Sequence, residues 1–135
     1  MDNDTRDVAA RQSAPTREIL VVEDDEDLRD ILVATLRREG YEATLAGDGH
    51  RALQVLALRR DDPPAAIVLD LMMPRMGGRA FLDAYELSGL PMVPVIVLSS
   101  APESMPRADE RRVVSYMRKP VDLARLVESL ALWAS

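Results

Sequence analysis

Acidic residues follow two apolar stretches of the sequence at the same relative place. Glu23 ends the stretch Glu18–Glu23 and Asp24 directly follows it, and Asp70 directly follows Ala65–Leu69. Such stretches are typical of buried strands, and the carboxyl ends of parallel strands share one edge of a sheet. Carboxylates meeting there repel by roughly 4 kcal/mol per close pair at an effective dielectric constant of about 20. Such a cluster persists if a cation neutralises it or if the repulsion is useful, and ligands that are all oxygen suit Mg²⁺.

A hydroxyl and an amine are expected at the same edge. Ser99 ends the fourth predicted strand, and Lys119 follows the fifth. A carboxylate, Mg²⁺, a hydroxyl and an ammonium around one point suit an aspartyl-phosphate, with Asp70 as the nucleophile. The metal and Lys119 would neutralise the phosphoryl oxygens, while Ser99 would donate a hydrogen bond to one of them. A serine or lysine at a strand end is by itself ordinarily solvated, so the hypothesis depends on the combination.

The segments beside these acids have simpler interpretations. Asp25, Glu26 and Asp27 continue the acidic run, and they are interpreted as a helix start, where the helix dipole favours negative side chains. Gly77 and Gly78 follow Asp70 at a short distance in the sequence. We expect them to let the backbone approach closely in the loop after that residue.

Strand-like and helical patterns alternate along the chain, which indicates right-handed βαβ crossovers. The fold class is therefore α/β: a five-stranded parallel sheet in the flavodoxin-like order 2-1-3-4-5, with helices on both faces. The helical spacing also predicts that Leu58 and Trp133 face inward. The predicted strands are Glu18–Glu23, Tyr41–Ala46, Ala65–Leu69, Pro94–Ser99 and Val113–Arg118, and the predicted helices are Asp25–Glu39, one opened by Asp48-Gly49, Gly78–Leu87 and Val121–Trp133.

Composition excludes several classes of site. The 17 Lys and Arg against 23 Asp and Glu give a net charge of −6, which argues against a nucleic-acid surface. With no cysteine and one histidine, the chain has neither thiolate nor multi-histidine metal sites, and His50 is interpreted as an exposed helix residue. Leu90–Leu98 is too short to span a bilayer. We expect a cytoplasmic protein without membrane contact, with a disordered tail over residues 1–17 and one domain over 18–135.

Five stretches carry a resemblance to a known family. ILVVEDDEDLR, GDGHRAL, IVLDLMMPRMGG, PVIVLSSA and YMRKP come in this order and span residues 18–134. Together they resemble the receiver domain of bacterial two-component response regulators, in the single-domain form of the chemotaxis regulators. The most specific features in combination are a proline four residues after the aspartate that ends strand 3 and the Lys-Pro pair after strand 5.

The resemblance implies roles for the acidic edge. Glu23 and Asp24 match the family's acidic pair, with Asp24 as the expected direct Mg²⁺ ligand. Asp70 matches the phosphorylated aspartate, which also contacts the metal. Met72 matches the position that offers its backbone carbonyl to the metal.

The resemblance implies a switch as well. Ser99 matches the switch hydroxyl, Lys119 the lysine of the site, and Tyr116 the aromatic residue that changes position, although an ordinary half-buried tyrosine is the alternative for Tyr116. The family also has a cis peptide bond at the position of Lys119-Pro120.

The implied mechanism is a population shift. A phosphoryl group passes from a phosphohistidine of a sensor histidine kinase or a histidine phosphotransfer protein to Asp70. Ser99 then moves toward the phosphate, Tyr116 turns inward, and one face changes its preference for a downstream protein. That face comprises strand 5, the final helix and the helix expected between strands 4 and 5. We expect a monomer or weak homodimer without an attached output domain, catalysing only its own phosphorylation and dephosphorylation.

The chain departs from the family between strands 4 and 5. Pro102 and Pro106 interrupt a connection that is short for the family, so its helix is expected to be short or displaced. A receiver-like scaffold that binds partners without phosphorylation is therefore the main alternative. A flavodoxin is disfavoured because five acids after strand 1 would repel a phosphate. A phosphatase of the haloacid dehalogenase type is disfavoured because Met72 stands where it needs a second aspartate.

Overall fold

Five strands and four helices make up the described part of the chain. The structure is a computed structural model, and it describes residues 17–73, 75–100 and 113–134. The strands are β1 (Glu18–Val22), β2 (Glu42–Ala46), β3 (Ala66–Asp70), β4 (Val95–Ser99) and β5 (Val113–Arg118). The helices are α1 (Glu26–Arg38), α2 (Gly49–Leu58), α3 (Gly78–Leu87) and α4 (Leu123–Trp133).

All five strands pair in parallel in one sheet with the order β2-β1-β3-β4-β5. The predicted fold class and strand order are confirmed. The central pairing matches Val22 with Leu69, so β1 and β3 end side by side. Asp70 is opposite Leu98 of β4, and Ser99 is opposite Arg118 of β5. This register brings the ends of four strands to one edge.

Helices cover both faces of the sheet, and each face has its own apolar core. Every residue of β3 and β4 is buried, as expected for central strands of a parallel sheet. On one face, Val55 and Leu56 of α2 pack with Phe81, Leu82 and Tyr85 of α3. On the other face, Leu32 and Leu36 of α1 pack with Leu126 and Leu130 of α4. The two cores fix the sheet between them.

Local capping sets where α1 begins and ends. The Asp25 carboxylate accepts hydrogen bonds from the backbone N–H groups of Asp27 (2.9 Å) and Leu28 (3.4 Å). Glu26 and Asp27 are exposed in the first turn, where the helix dipole favours them. Gly40, with φ of 91°, follows the helix in the left-handed region. The interpretation of Asp25 to Asp27 as a helix start is therefore confirmed.

Two predicted inward side chains are in fact exposed. Leu58 of α2 is 81% exposed, because it lies more than a quarter of a turn away from the buried face formed by Ala52, Val55 and Leu56. Trp133 of α4 is 47% exposed. Its spacing does continue the buried stripe of α4 formed by Leu126 and Leu130, but as the last residue of the helix it is only partly covered.

Some expectations concern residues outside the described ranges. The predicted tail lies outside them except for residue 17, and so does the segment 101–112, which contains Pro102 and Pro106. The expectations of a disordered tail, a domain starting at residue 18 and a short helix between β4 and β5 stay predictions. Across the described ranges, the structure contains no helix with the length and apolar character needed to cross a membrane.

Candidate functional site

The acidic residues meet where β1 and β3 end. Glu23 directly follows β1, and Asp70 is the last residue of β3. Their exposed fractions are only 1% and 2%, whereas the neighbouring Asp24 is exposed. One carboxylate oxygen from each of Glu23, Asp24 and Asp70 lies within 4.8 Å of the others. The edge predicted from the sequence therefore exists, and it brings these three carboxylates together.

The donor chemistry of this cluster fits Mg²⁺. The three groups offer hard anionic oxygens, and the exposed Asp24 leaves the site open to water. Mg²⁺ prefers oxygen ligands and usually retains several waters beside one or two carboxylates. Two nearly buried carboxylates and a third beside them also need positive charge to balance them.

Lys119 supplies part of that positive charge. Its Nζ lies 3.2 Å from Oδ2 of Asp70 and 3.4 Å from Oε2 of Glu23. The backbone N–H of Lys119 donates to the carbonyl oxygen of Ser99 over 2.9 Å, which ties the residue to the end of β4. The Lys119-Pro120 peptide bond is cis, as the resemblance implies.

In each of the two buried carboxylates, the oxygen that does not face Lys119 accepts a hydrogen bond from a backbone N–H. The N–H of Met72 donates to Oδ1 of Asp70 over 3.0 Å, and the N–H of Asp25 donates to Oε1 of Glu23 over 3.2 Å. Both oxygens of Asp70 and of Glu23 are thus oriented within the site. The Met72 side chain is 58% exposed, so its contact with the site is through its backbone.

The pKa values of Glu23 and Lys119 report the same charge balance. Burial raises the pKa of Glu23 from its ordinary 4.5 to about 7, and the negative charge of Asp70 also raises it, outweighing the attraction of Lys119. Burial lowers the pKa of Lys119, but attraction to Asp70 and Glu23 outweighs that effect and leaves it raised. The ammonium of Lys119 therefore stays charged, and the net charge of the site is negative.

The profile of the response regulator receiver domain matches residues 19–131, which is nearly the whole chain. The chain belongs to this family. Receiver domains are phosphoacceptor switches of two-component signalling rather than enzymes that act on a separate substrate. Members of the family bind Mg²⁺ in an acidic pocket, and in this chain Glu23, Asp24 and Asp70 form an acidic cluster that could hold a metal ion.

The receiver domain is similar to longer proteins. It is 32% identical over 127 residues to the transcriptional regulatory protein PdtaR of Mycobacterium tuberculosis (strain CDC 1551 / Oshkosh), covering 91% of this chain and 59% of the relative. It is 36% identical over 104 residues to the uncharacterized transcriptional regulatory protein YrkP of Bacillus subtilis (strain 168), covering 76% of this chain and 42% of the relative. The chain thus spans less than two thirds of the length of either protein, and the expectation that no output domain is attached stays a prediction.

Solved structures share the fold. A sensor protein from Polaromonas sp. JS666 aligns with a TM-score of 0.78 and 26% identity, over 89% of this chain and 97% of its own. The chemotaxis protein CheY4 of Vibrio cholerae aligns with a TM-score of 0.73 and 26% identity, over 88% of this chain and 99% of its own. Similarity over nearly the full length of these proteins agrees with the observed strand order.

The receiver domain places the two predicted switch residues on neighbouring strands. Ser99 is fully buried at the end of β4, and β4 is the strand beside β3. Tyr116 of β5 is partly buried and packs against the core that contains α2 and α3. His50 is exposed in the first turn of α2, as interpreted from the sequence.

The ion pair between Asp48 and Arg75 was not anticipated from the sequence, whereas the close approach at Gly78 was. Asp48 caps α2, and its carboxylate also pairs with Arg75 in the loop after β3. The Asp-Gly pair before an apolar helical stretch signals such a cap, but nothing in the sequence indicates the partner. Gly78 does allow the expected close approach, since a Cβ there would lie 2.7 Å from Cα of Leu71 and 2.8 Å from the Asp70 carbonyl oxygen.

Proposed function

We propose that Asp70 of this receiver domain accepts a phosphoryl group from a phosphohistidine of a sensor histidine kinase or a histidine phosphotransfer protein. The observation that carries this proposal is the meeting of Glu23, Asp24, Asp70 and Lys119 at one edge of the sheet. A nucleophilic carboxylate held between a cation site and an ammonium is the arrangement that phosphoryl transfer requires.

The transfer exchanges one bond for another. A carboxylate oxygen of Asp70 forms a bond to phosphorus, while the bond between phosphorus and the imidazole nitrogen of the donor breaks. The electron pair of that bond stays on the nitrogen, and the donor histidine takes up a proton. In dephosphorylation, the oxygen of a water molecule forms a bond to phosphorus while the bond between phosphorus and the Asp70 oxygen breaks, which gives inorganic phosphate and the free Asp70 carboxylate.

The residues around Asp70 have distinct proposed roles. The Lys119 ammonium lies within hydrogen-bond distance of the Asp70 carboxylate, so it would also lie close to a phosphoryl group on Asp70 and neutralise its negative charge. Glu23 and Asp24, with the backbone carbonyl of Met72, would hold Mg²⁺. When bound, Mg²⁺ would neutralise charge on the phosphoryl oxygens and orient them for in-line transfer.

We propose that Ser99 and Tyr116 convert the modification into a change of partner. Ser99 moves toward the phosphoryl group and donates a hydrogen bond to it. Tyr116 then takes a more buried position. Support comes from the placement of Ser99 at the end of β4, beside Asp70, and of Tyr116 on the adjacent strand. The surface of β5 and α4 then changes its affinity for a downstream protein through a shift between two conformations.

A small phosphodonor tests the proposal without a partner. The protein is incubated with acetyl phosphate and Mg²⁺, and its intact mass is measured by mass spectrometry. We expect an added mass of one phosphoryl group, which is absent in Asp70→Asn and present in Asp61→Asn, a matched exposed aspartate in the turn after α2. A wild-type protein that takes up no phosphate from any donor would support the alternative, a scaffold that binds partners without phosphorylation.

A further inference from the structure

We infer that the turn from the last residue of β2 to the first residue of α2, residues 46–49, positions the loop after Asp70 and so sets the affinity of the site for Mg²⁺. Asp48 and Arg75 are the positioning residues. The loop in question covers residues 71–77, of which 71–73 and 75–77 are described. This inference rests on the proposed function, because it concerns how the same acidic site is held in shape.

Asp48 connects two separate elements with its two carboxylate oxygens. Oδ1 accepts a hydrogen bond from the backbone N–H of Arg51 over 3.0 Å, which caps the start of α2. Oδ2 lies 3.1 Å from Nε of Arg75 in the loop after β3. Asp48 itself is buried, so its carboxylate is oriented by the fold, whereas Arg75 is exposed. The ion pair therefore holds the loop in place against the start of α2.

A backbone hydrogen bond reinforces this connection. The N–H of Gly49 donates to the carbonyl oxygen of Met76 over 2.9 Å. The approach is so close that a Cβ on Gly49 would lie 2.6 Å from Cγ and 3.0 Å from the carbonyl oxygen of Met76. Glycine at position 49 is therefore what lets the helix start contact the loop directly.

The backbone of Arg75 shows that the loop conformation depends on outside contacts. Its φ angle is 60°, in the left-handed region that residues with a Cβ rarely adopt. Such a conformation persists only where surrounding contacts hold it. The ion pair of its side chain with Asp48 and the bond at its neighbour Met76 are contacts of this kind.

The same turn also contacts the other side of the acidic site. The carbonyl oxygen of Ala46 accepts a hydrogen bond from the N–H of Glu23 over 3.0 Å. The loop after β3 reaches Asp70 through the N–H of Met72, which donates to Oδ1 over 3.0 Å. The turn is thus bonded both to a residue of the acidic cluster and to the loop that orients Asp70. Without the ion pair between Asp48 and Arg75, the distance between the Glu23 and Asp70 sides of the cation site would be less tightly fixed.

Two single substitutions separate positioning from simple charge. Asp48→Asn keeps a residue that caps helices well but removes the ion pair, and Arg75→Gln removes it from the other side. Charge alone predicts opposite effects, because loss of a negative charge weakens Mg²⁺ binding and loss of a positive charge strengthens it. Positioning predicts that both substitutions weaken it. Arg60→Gln, at an exposed arginine beyond the far end of α2, is the charge-matched control.

The measurements are the Mg²⁺ dissociation constant by titration calorimetry and the exchange rate of the Gly49 amide hydrogen. We expect both single variants to raise the dissociation constant about threefold to tenfold. Loss of a group that hydrogen-bonds a metal ligand directly typically weakens metal binding by about tenfold or more, and Asp48 and Arg75 act less directly. The double variant should resemble either single one, because both remove the same pair. Exchange at Gly49 should become faster in each, and Arg60→Gln should match the wild type.

An unchanged or tighter dissociation constant for Arg75→Gln overturns the positioning role, as does a double variant whose effects add. The proposed function is judged separately on the wild-type protein. If the wild type binds no Mg²⁺, the proposed function itself fails. If the wild type binds Mg²⁺ and takes up phosphate while the variants bind Mg²⁺ equally well, only the positioning role fails.

Discussion

The ammonium nitrogen of Lys119 lies 3.2 Å from Oδ2 of Asp70, and it reaches Oε2 of Glu23 at 3.4 Å. One cation thus faces two nearly buried carboxylates that come from different strands. Lys119 itself follows a third strand, β5, at the same edge of the sheet. The contact joins three parts of the sequence that are distant from one another.

Loss of the Lys119 charge should destabilise the protein without metal. In Lys119→Gln, the carboxylates of Asp70 and Glu23 lose their charged partner, and we expect the free energy of unfolding to fall by about 1–3 kcal/mol. Urea unfolding at pH 8 in a chelating buffer measures it. Arg118→Gln is the matched control, because Arg118 is the adjacent exposed residue. Equal stability of Lys119→Gln and the wild type would show that Lys119 does not balance these carboxylates.

Glu23 should make stability depend on pH in the absence of metal. Its pKa is about 7 in the folded protein, against an ordinary value of 4.5, because of burial first and the charge of Asp70 second. The folded state therefore holds a proton that the unfolded state has released between these values, and this contribution to stability is lost as the pH rises from 4.5 through 7.

The matched variant for this pH effect is Glu23→Gln, which stays neutral throughout. The wild type should lose on the order of 3 kcal/mol relative to Glu23→Gln between about pH 4.5 and pH 8. Urea unfolding of both proteins across that range, without divalent cations, measures the difference. Parallel stability curves for the two proteins would contradict the raised pKa.

Mg²⁺ should stabilise the fold through the acidic cluster. At 100 times its dissociation constant, a ligand that binds only the folded state adds about 2.7 kcal/mol to the free energy of unfolding. We expect thermal unfolding of the wild type to shift upward with Mg²⁺ and the shift to shrink in Asp24→Asn. Asp27→Asn should keep the full shift, because Asp27 belongs to the exposed first turn of α1. Equal shifts in all three proteins would place Mg²⁺ elsewhere.

Gly78 should tolerate no side chain. A Cβ there would lie 2.7 Å from Cα of Leu71, which is backbone and cannot move aside cheaply. We expect Gly78→Ala to lower the free energy of unfolding by about 2 kcal/mol, as overpacking does. At Gly47 the nearest atom to a new Cβ is a terminal nitrogen of Arg29 at 4.0 Å, so Gly47→Ala should change stability by less than about 0.5 kcal/mol. Chemical unfolding of both variants checks the contrast.

The strand order and the acidic edge could be predicted from the sequence because they follow from general rules. Alternating strands and helices produce a parallel sheet, and the carboxyl ends of its strands share one edge. Glu23, Asp70, Ser99 and Lys119 each end or follow a strand, so their common location required only the topology. The residue types at that edge indicated an aspartyl-phosphate, and the resemblance added the expected roles of Met72 and Tyr116.

Other features depended on details that the pattern does not carry. Helical spacing indicates the direction of a side chain but not how completely its neighbours cover it, so the prediction that Trp133 is buried was wrong. The pairing of Asp48 with Arg75 joins two loops whose separation is set only by the folded sheet. Likewise, the shared contact of Lys119 with both Asp70 and Glu23 depends on side-chain reach rather than on strand order.

The central claim is that Asp70 itself becomes the acyl phosphate, and reductive trapping tests it most directly. After incubation with acetyl phosphate and Mg²⁺, borohydride reduces an aspartyl-phosphate to homoserine, and tandem mass spectrometry of the digested protein locates the change. We predict homoserine at position 70 in the wild type, dependent on Mg²⁺. Unmodified aspartate at position 70 under all donors, or trapping at a different residue, would contradict the account.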